Sequence, residues 1–131
     1  MNYNPILSIV TATIEVGAAV WALRGPGRKP IIYTVSAILF FLACYQIVEA
    51  IFCTGSPVTL AFPPRLAFMV VAWLPPTGLL LVARLYPTKT HNLYYYAYAM
   101  FIFCGVLVAN IAVDKAFVTA SVCDIVCATY T

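Results

Sequence analysis

Charge is what this chain has least of. Only 8% of its 131 residues are Asp, Glu, Lys or Arg, against about a quarter in soluble domains, and this excludes a water-soluble fold. The seven Lys and Arg residues form no stripe, so a nucleic-acid surface is excluded as well. Histidine occurs once, at position 91, which leaves no pair to ligate a haem iron axially. No nucleophile–base pair and no phosphate-binding loop can be traced, so the chain reads as a non-enzyme with no cofactor. The opening residues carry no positive charge and no small-residue cleavage site follows. The first apolar run is therefore expected to be a retained helix and not a signal peptide.

What the chain does have is apolar length. It is 64% hydrophobic with a mean hydropathy of +0.99, and 131 residues allow one small bundle. The organising stretch is 30–52. It holds no charge from Ile31 to Val48, and Glu49 stands just inside its far end. As a helix rising about 1.5 Å per residue, it is long enough to cross a hydrocarbon core of about 30 Å. Pro30 suits the first helical position. Three further runs, 5–23, 66–85 and 93–113, have similar length. The expected fold is all-α: an integral membrane bundle of four transmembrane helices over 1–115.

Loop charge orients the bundle. Arg24, Arg28, Lys29, Arg84 and Lys89 fall on one side, with Arg65 and Lys115 on the other. The positive-inside rule then places both termini outside a plasma (inner) membrane. Tyr94, Tyr95, Tyr96 and Tyr98 begin the fourth span, where an aromatic belt belongs. In the tail, 116–131, Val118, Val122, Ile125 and Val126 recur at helical spacing. Two readings stay open there: a short amphipathic helix on the outer surface, or the opening turns of a fifth span.

The helix faces carry the candidate site. Ser8, Thr11, Ala12, Glu15, Ala18, Ala19 and Ala22 share one face of the first span, a strip of small side chains around one carboxyl. Such strips let helices approach closely in lipid. On the second span Tyr45, Gln46, Glu49 and Cys53 follow at spacings of three and four, so they share a face. Lipid-facing Gln and Glu are costly, and that face should look at other helices. Depth counting puts Glu15 and Gln46 at one level, with Pro75, Pro76, Thr77 and Cys104 near it. The functional reading makes Glu15 and Glu49 a proton or cation relay, because low dielectric disfavours the charged form of a carboxyl. The plainer reading has both protonated, or hydrogen-bonded to Gln46, Tyr45 and Thr11, and locking the bundle, with Glu49 hydrated near the interface.

Pro75 and Pro76 remove two backbone donors in mid-span and free carbonyls one turn earlier. In transporters such breaks line binding sites; otherwise Thr77 or a neighbouring helix meets the loose carbonyls. Trp73 either covers a pocket or packs. Gly105 and Ala109 read as a packing notch. Cys44 and Cys104 lie within spans and act as small apolar residues. Cys53, Cys123 and Cys127 fall on the outward side, where a bridge from Cys53 to Cys123 or Cys127 would pin the tail. His91 lies on the side opposite these thiols, so no zinc site is expected.

Three resemblances attach to these motifs. Tyr45-Gln46-Ile47-Val48-Glu49-Ala50, followed by Ala72-Trp73-Leu74-Pro75-Pro76, resembles an uncharacterised group of bacterial and archaeal polytopic membrane proteins. Their second span carries Gln-x-x-Glu and their third is broken by proline, and the likeness implies no particular activity. Arg65-Leu66-Ala67 leading to Leu74-Pro75-Pro76 is similar to the front half of seven-helix membrane sensor regions found ahead of histidine kinases. That would imply a sensory or docking module. Ile14-Glu15-Val16-Gly17 resembles the first span of small multidrug resistance transporters, and the run from Cys104 to Asn110 is similar to their dimerising fourth span. By that likeness Glu15 carries an exchangeable proton and Trp73 faces substrate, but the Ala-Tyr-x-x-Trp-x-Gly pattern of their third span is missing. The expected role is an accessory subunit of a larger membrane complex or the membrane part of a sensor, with lipid and other membrane chains or copies of itself as partners. A proton-coupled transporter is the alternative.

Overall fold

The computed structural model describes the backbone of residues 5–54, 62–86, 91–113, 121–123 and 128–130, and the side chains of 5–51, 65–86 and 92–113. Among the described residues there are five helices: α1 (Pro5–Arg24), α2 (Lys29–Thr54), α3 (Phe62–Val71), α4 (Leu74–Leu85) and α5 (His91–Val113). Among the described residues four stretches are long and apolar enough to cross a membrane: α1, α2, the α3–α4 pair from Arg65 to Leu85, and α5.

The spans pack in the order in which they are made. α1 lies on α2, α2 on α3 and α4, and these two in turn on α5. Small side chains make the contacts. Seven of the nine buried apolar residues among those described are alanines, namely Ala12, Ala19, Ala43, Ala50, Ala67, Ala83 and Ala97. Lipid offers no hydrophobic drive between helices, so close backbone approach and dispersion hold them together. Large apolar residues such as Ile14, Trp21, Phe40, Ile102 and Phe103 instead face outward. On α5 the buried positions Ala97, Cys104 and Ile111 recur every seventh residue, the repeat of a left-handed helix seam.

The link between the first two spans is short because of its glycines. A Cβ at Gly25 would stand 3.3 Å from the Ala22 carbonyl oxygen, and one at Gly27 would stand 3.2 Å from Ile32 Cδ1. Arg28's carbonyl accepts from the N–H groups of both Ile31 and Ile32, which closes the first turn of α2. Pro30 sits in that turn, where no N–H is needed.

Four expectations need correction. The third span is two helices, and it parts at Ala72–Trp73, two residues ahead of the prolines. Trp73 caps α4, and the proline pair falls in its first turn, where missing donors cost least. Arg24 closes α1, Lys29 opens α2 and Arg65 belongs to α3, so these counted loop charges stand on helices, as Arg84 does within its expected span. The loop expected over 53–65 is likewise shorter, since α2 runs to Thr54 and α3 starts at Phe62. In the tail Ser121–Cys123 (β1) and Ala128–Tyr130 (β2) pair as antiparallel strands, with Ser121 opposite Tyr130 and Val122 opposite Thr129. Val122, one of the residues at helical spacing, also suits a pleated strand, and over these two described segments the chain is extended and not helical.

Candidate functional site

One hydrogen bond fixes the register of the first two spans. The hydroxyl of Ser36, buried in α2, donates to the Ala19 carbonyl of α1 at 3.2 Å. Two antiparallel helices in that register bring Ala12 level with Ala43 and Pro5 level with Ala50. All four alanines on this line, Ala12, Ala19, Ala43 and Ala50, are buried. The strip of small residues on α1 is thus the surface that meets α2, with Ser8, Ala12 and Ala19 buried at its centre.

Glu15 stands in this strip, half-buried. Its Oε2 is enclosed by protein and has no hydrogen-bond partner among the described residues. The register sets it level with Phe40 of α2. Gln46 therefore lies six residues farther along, about 9 Å at 1.5 Å per residue, and Glu49 nine residues farther, about 13 Å. The expectation that Glu15 and Gln46 share a level fails, because depth counted from the two chain ends ignores how the helices slide past each other. Glu15 and Glu49 are correspondingly farther apart along the helix axis than that shared level implied.

Glu49 has surroundings of its own. It is only 2% exposed and is a partnered group, which removes the hydrated interfacial role expected for it. At 100° per residue it lies about 100° around α2 from Ala50, off the line that meets α1. Tyr45, one turn earlier, is half-buried and partnered as well.

Backbone and hydroxyl bonds brace the break in the third span on either side. Ala72 N–H reaches the Phe68 carbonyl at 2.9 Å and Trp73 N–H tightens to the Val70 carbonyl at 3.2 Å. The Thr77 hydroxyl is shared between the carbonyls of Trp73, at 2.7 Å, and Leu74, at 2.9 Å. The carbonyls that the prolines leave without their usual i+4 donor are those of Val71 and Ala72, so Thr77 serves the turn after them. Trp73 turns toward α5, where its ring lies 6.0 Å from that of Phe101. A Cβ on Gly105 would meet Trp73 Cη2 at 3.9 Å, an ordinary contact that leaves the indole close against α5. Ala109 is exposed, so the expected notch is used at Gly105 alone.

Two features gave no signal in the sequence. Arg84 Nη1 donates to the Pro30 carbonyl at 2.6 Å and to the Thr34 hydroxyl, which itself donates to Pro30 at 2.7 Å. This clamp ties the end of α4 to the start of α2. Its only sequence cue is an arginine placed inside the last turn of a span. The second feature is a groove of about 530 Å³ between α1 and α2, walled by Ile9, Ala12, Thr13, Val16, Ile47 and Ala50. It opens on the flank away from Glu15 and contains no ionisable group.

Cys44 and Cys104 are free thiols. The side chains of Cys53, Cys123 and Cys127, and with them the expected bridge, lie outside the described residues. Among the described residues no three His, Cys, Asp or Glu side chains gather closely enough to hold a metal ion. In comparisons with known proteins, no family model, no curated protein and no solved structure matches this chain.

Proposed function

We propose that this chain is a non-enzymatic membrane module, an accessory subunit of a larger membrane complex or the membrane part of a sensor. In this reading it lies in a plasma membrane with its basic end in the cytoplasm and both termini outside. The observation that carries it is Glu15. An enclosed carboxyl oxygen without a partner costs several kcal/mol at membrane depth, and no donor on the other described helices reaches it. Glu15 as a whole is only half-buried, and a polar side chain on a helix packed against α1 from outside the chain would pair with the part left accessible. The uncovered flanks of α1 and α5 leave room for such a helix, since each packs against one neighbouring span. The likeness to polytopic proteins with Gln-x-x-Glu and a broken third span agrees with a module of this kind.

Purification from native membranes in mild detergent tests the reading. Wild type should bring down defined partner chains in fixed ratio, and Glu15→Leu should lose them while Thr13→Val, on the groove flank, keeps them. A wild-type protein that purifies as a clean monomer overturns the proposal. The same unpartnered carboxyl favours one other reading, a proton-coupled transporter centred on Glu15. Proton-driven uptake in liposomes that disappears in Glu15→Gln would establish that alternative, and equal uptake or none in both forms would remove it.

A further inference from the structure

The end of the molecule where α1 turns into α2 collects charge of one sign. Arg24 closes α1, Arg28 and Lys29 follow within five residues, and all three are exposed. The chain's four acids are Glu15, Glu49, Asp114 and Asp124, and none falls in this turn or in the last turn of α4. Arg84 adds its charge to the same end while its Nη1 is held by Pro30 and Thr34. The turn that joins them is tight, since an added Cβ at either glycine would be crowded, and the three cations lie within six consecutive residues. Since Arg28's carbonyl occupies the N–H groups of Ile31 and Ile32, what this end offers an anion is side-chain charge.

The depth of the patch is marked by aromatics. Trp21, one turn before Arg24, is 79% exposed, and Tyr33, one turn after Lys29, is 58% exposed. Exposed amphipathic rings at a span's end sit at the headgroup level of a bilayer. We infer that this end is a binding site for anionic phospholipids, whose phosphate-bearing headgroups are held by Arg24, Arg28 and Lys29 while their acyl chains lie along Trp21 and Tyr33. Each basic residue near an anionic surface is worth about a factor of five in binding. A local enrichment of anionic lipid of about fivefold or more over the bulk is therefore expected.

Trp21 supplies the test. With Trp73→Phe it is the sole tryptophan, and its fluorescence reports the lipids touching it. The protein is reconstituted in phosphatidylcholine vesicles holding a fixed minor fraction of phosphatidylglycerol. The bromine quencher is placed either on that lipid or on an equal fraction of the phosphatidylcholine. Excess quenching from the brominated anionic lipid is expected. It should shrink in Arg24→Gln and vanish in Arg24→Gln/Arg28→Gln/Lys29→Gln, with helical circular dichroism unchanged. Should the triple variant fail to fold, the wild-type comparison and the single variant decide the matter. Equal quenching by the two brominated lipids overturns the inference, as does excess quenching that survives in folded triple variant. Replacing chloride by inorganic phosphate at constant ionic strength should leave the excess in place. Its loss there would assign the patch to free phosphate and overturn the lipid assignment.

Discussion

Replacing Ala43 by leucine should unlatch the first span. Ala43 is 1% exposed and stands level with Ala12, itself 3% exposed, in the register set by Ser36 and Ala19. A methyl there lets the two backbones approach, and three more heavy atoms have no space to enter. Overpacking of this kind costs about 1–3 kcal/mol. At 1.4 kcal/mol per tenfold change, this shifts the folded-to-unfolded ratio by about 5- to 150-fold. The assay is reversible unfolding in mixed micelles by SDS titration, followed by Trp21 and Trp73 fluorescence. Phe40→Leu, at a position 57% exposed, serves as control and should stay within about 0.5 kcal/mol of wild type. Register can be read separately by disulfide cross-linking in a background freed of native cysteines: Ala12→Cys with Ala43→Cys should couple readily, and Glu15→Cys with Gln46→Cys should not. An Ala43→Leu protein as stable as the control, or preferential coupling of the second pair, would refute both the register and the small-residue contact.

Other substitutions probe the remaining joints. Arg84→Ala removes a charged donor from the Pro30 carbonyl and the Thr34 hydroxyl and should cost about 1–2 kcal/mol in the same titration, with Arg84→Lys intermediate because a single ammonium lacks the guanidinium's fork. Thr77→Val should cost about 1 kcal/mol by taking the hydroxyl from the Trp73 and Leu74 carbonyls, while Thr77→Ser should match wild type. Phe101→Ala should red-shift Trp73 emission by uncovering the indole and lower stability by about 2–4 kcal/mol; an unchanged spectrum would contradict the packing of Trp73 on α5.

Individual helices were legible in the sequence, and their relative placement was not. Apolar runs of membrane-crossing length define the spans through local chemistry alone. The small face of α1 was also readable, because the 3.6-residue period puts Ser8, Ala12, Glu15 and Ala19 in one line whatever they meet. The proline pair announced a break, although its site, two residues earlier, depends on proline's tolerance for the first turn of a new helix. The register of α1 on α2 rests on one bond between residues seventeen apart, Ser36 and Ala19, and no period encodes it. For that reason Glu15 looked level with Gln46 and close to Glu49, and instead stands about 9 and 13 Å from them along the helix axis. The Arg84 clamp stayed hidden because a count of loop charges treats arginine as a topological marker and says nothing of what its guanidinium touches.

Neighbour-on-neighbour packing also bears on biogenesis. As the polypeptide leaves the ribosome, each new hydrophobic segment finds the docking surface it needs on the segment inserted just before it. Contacts between successive segments keep sequence separations short, which favours fast folding. The hairpin of α1 and α2 can therefore mature while the double-proline helix is still being translated, and the protein can accrete one layer at a time.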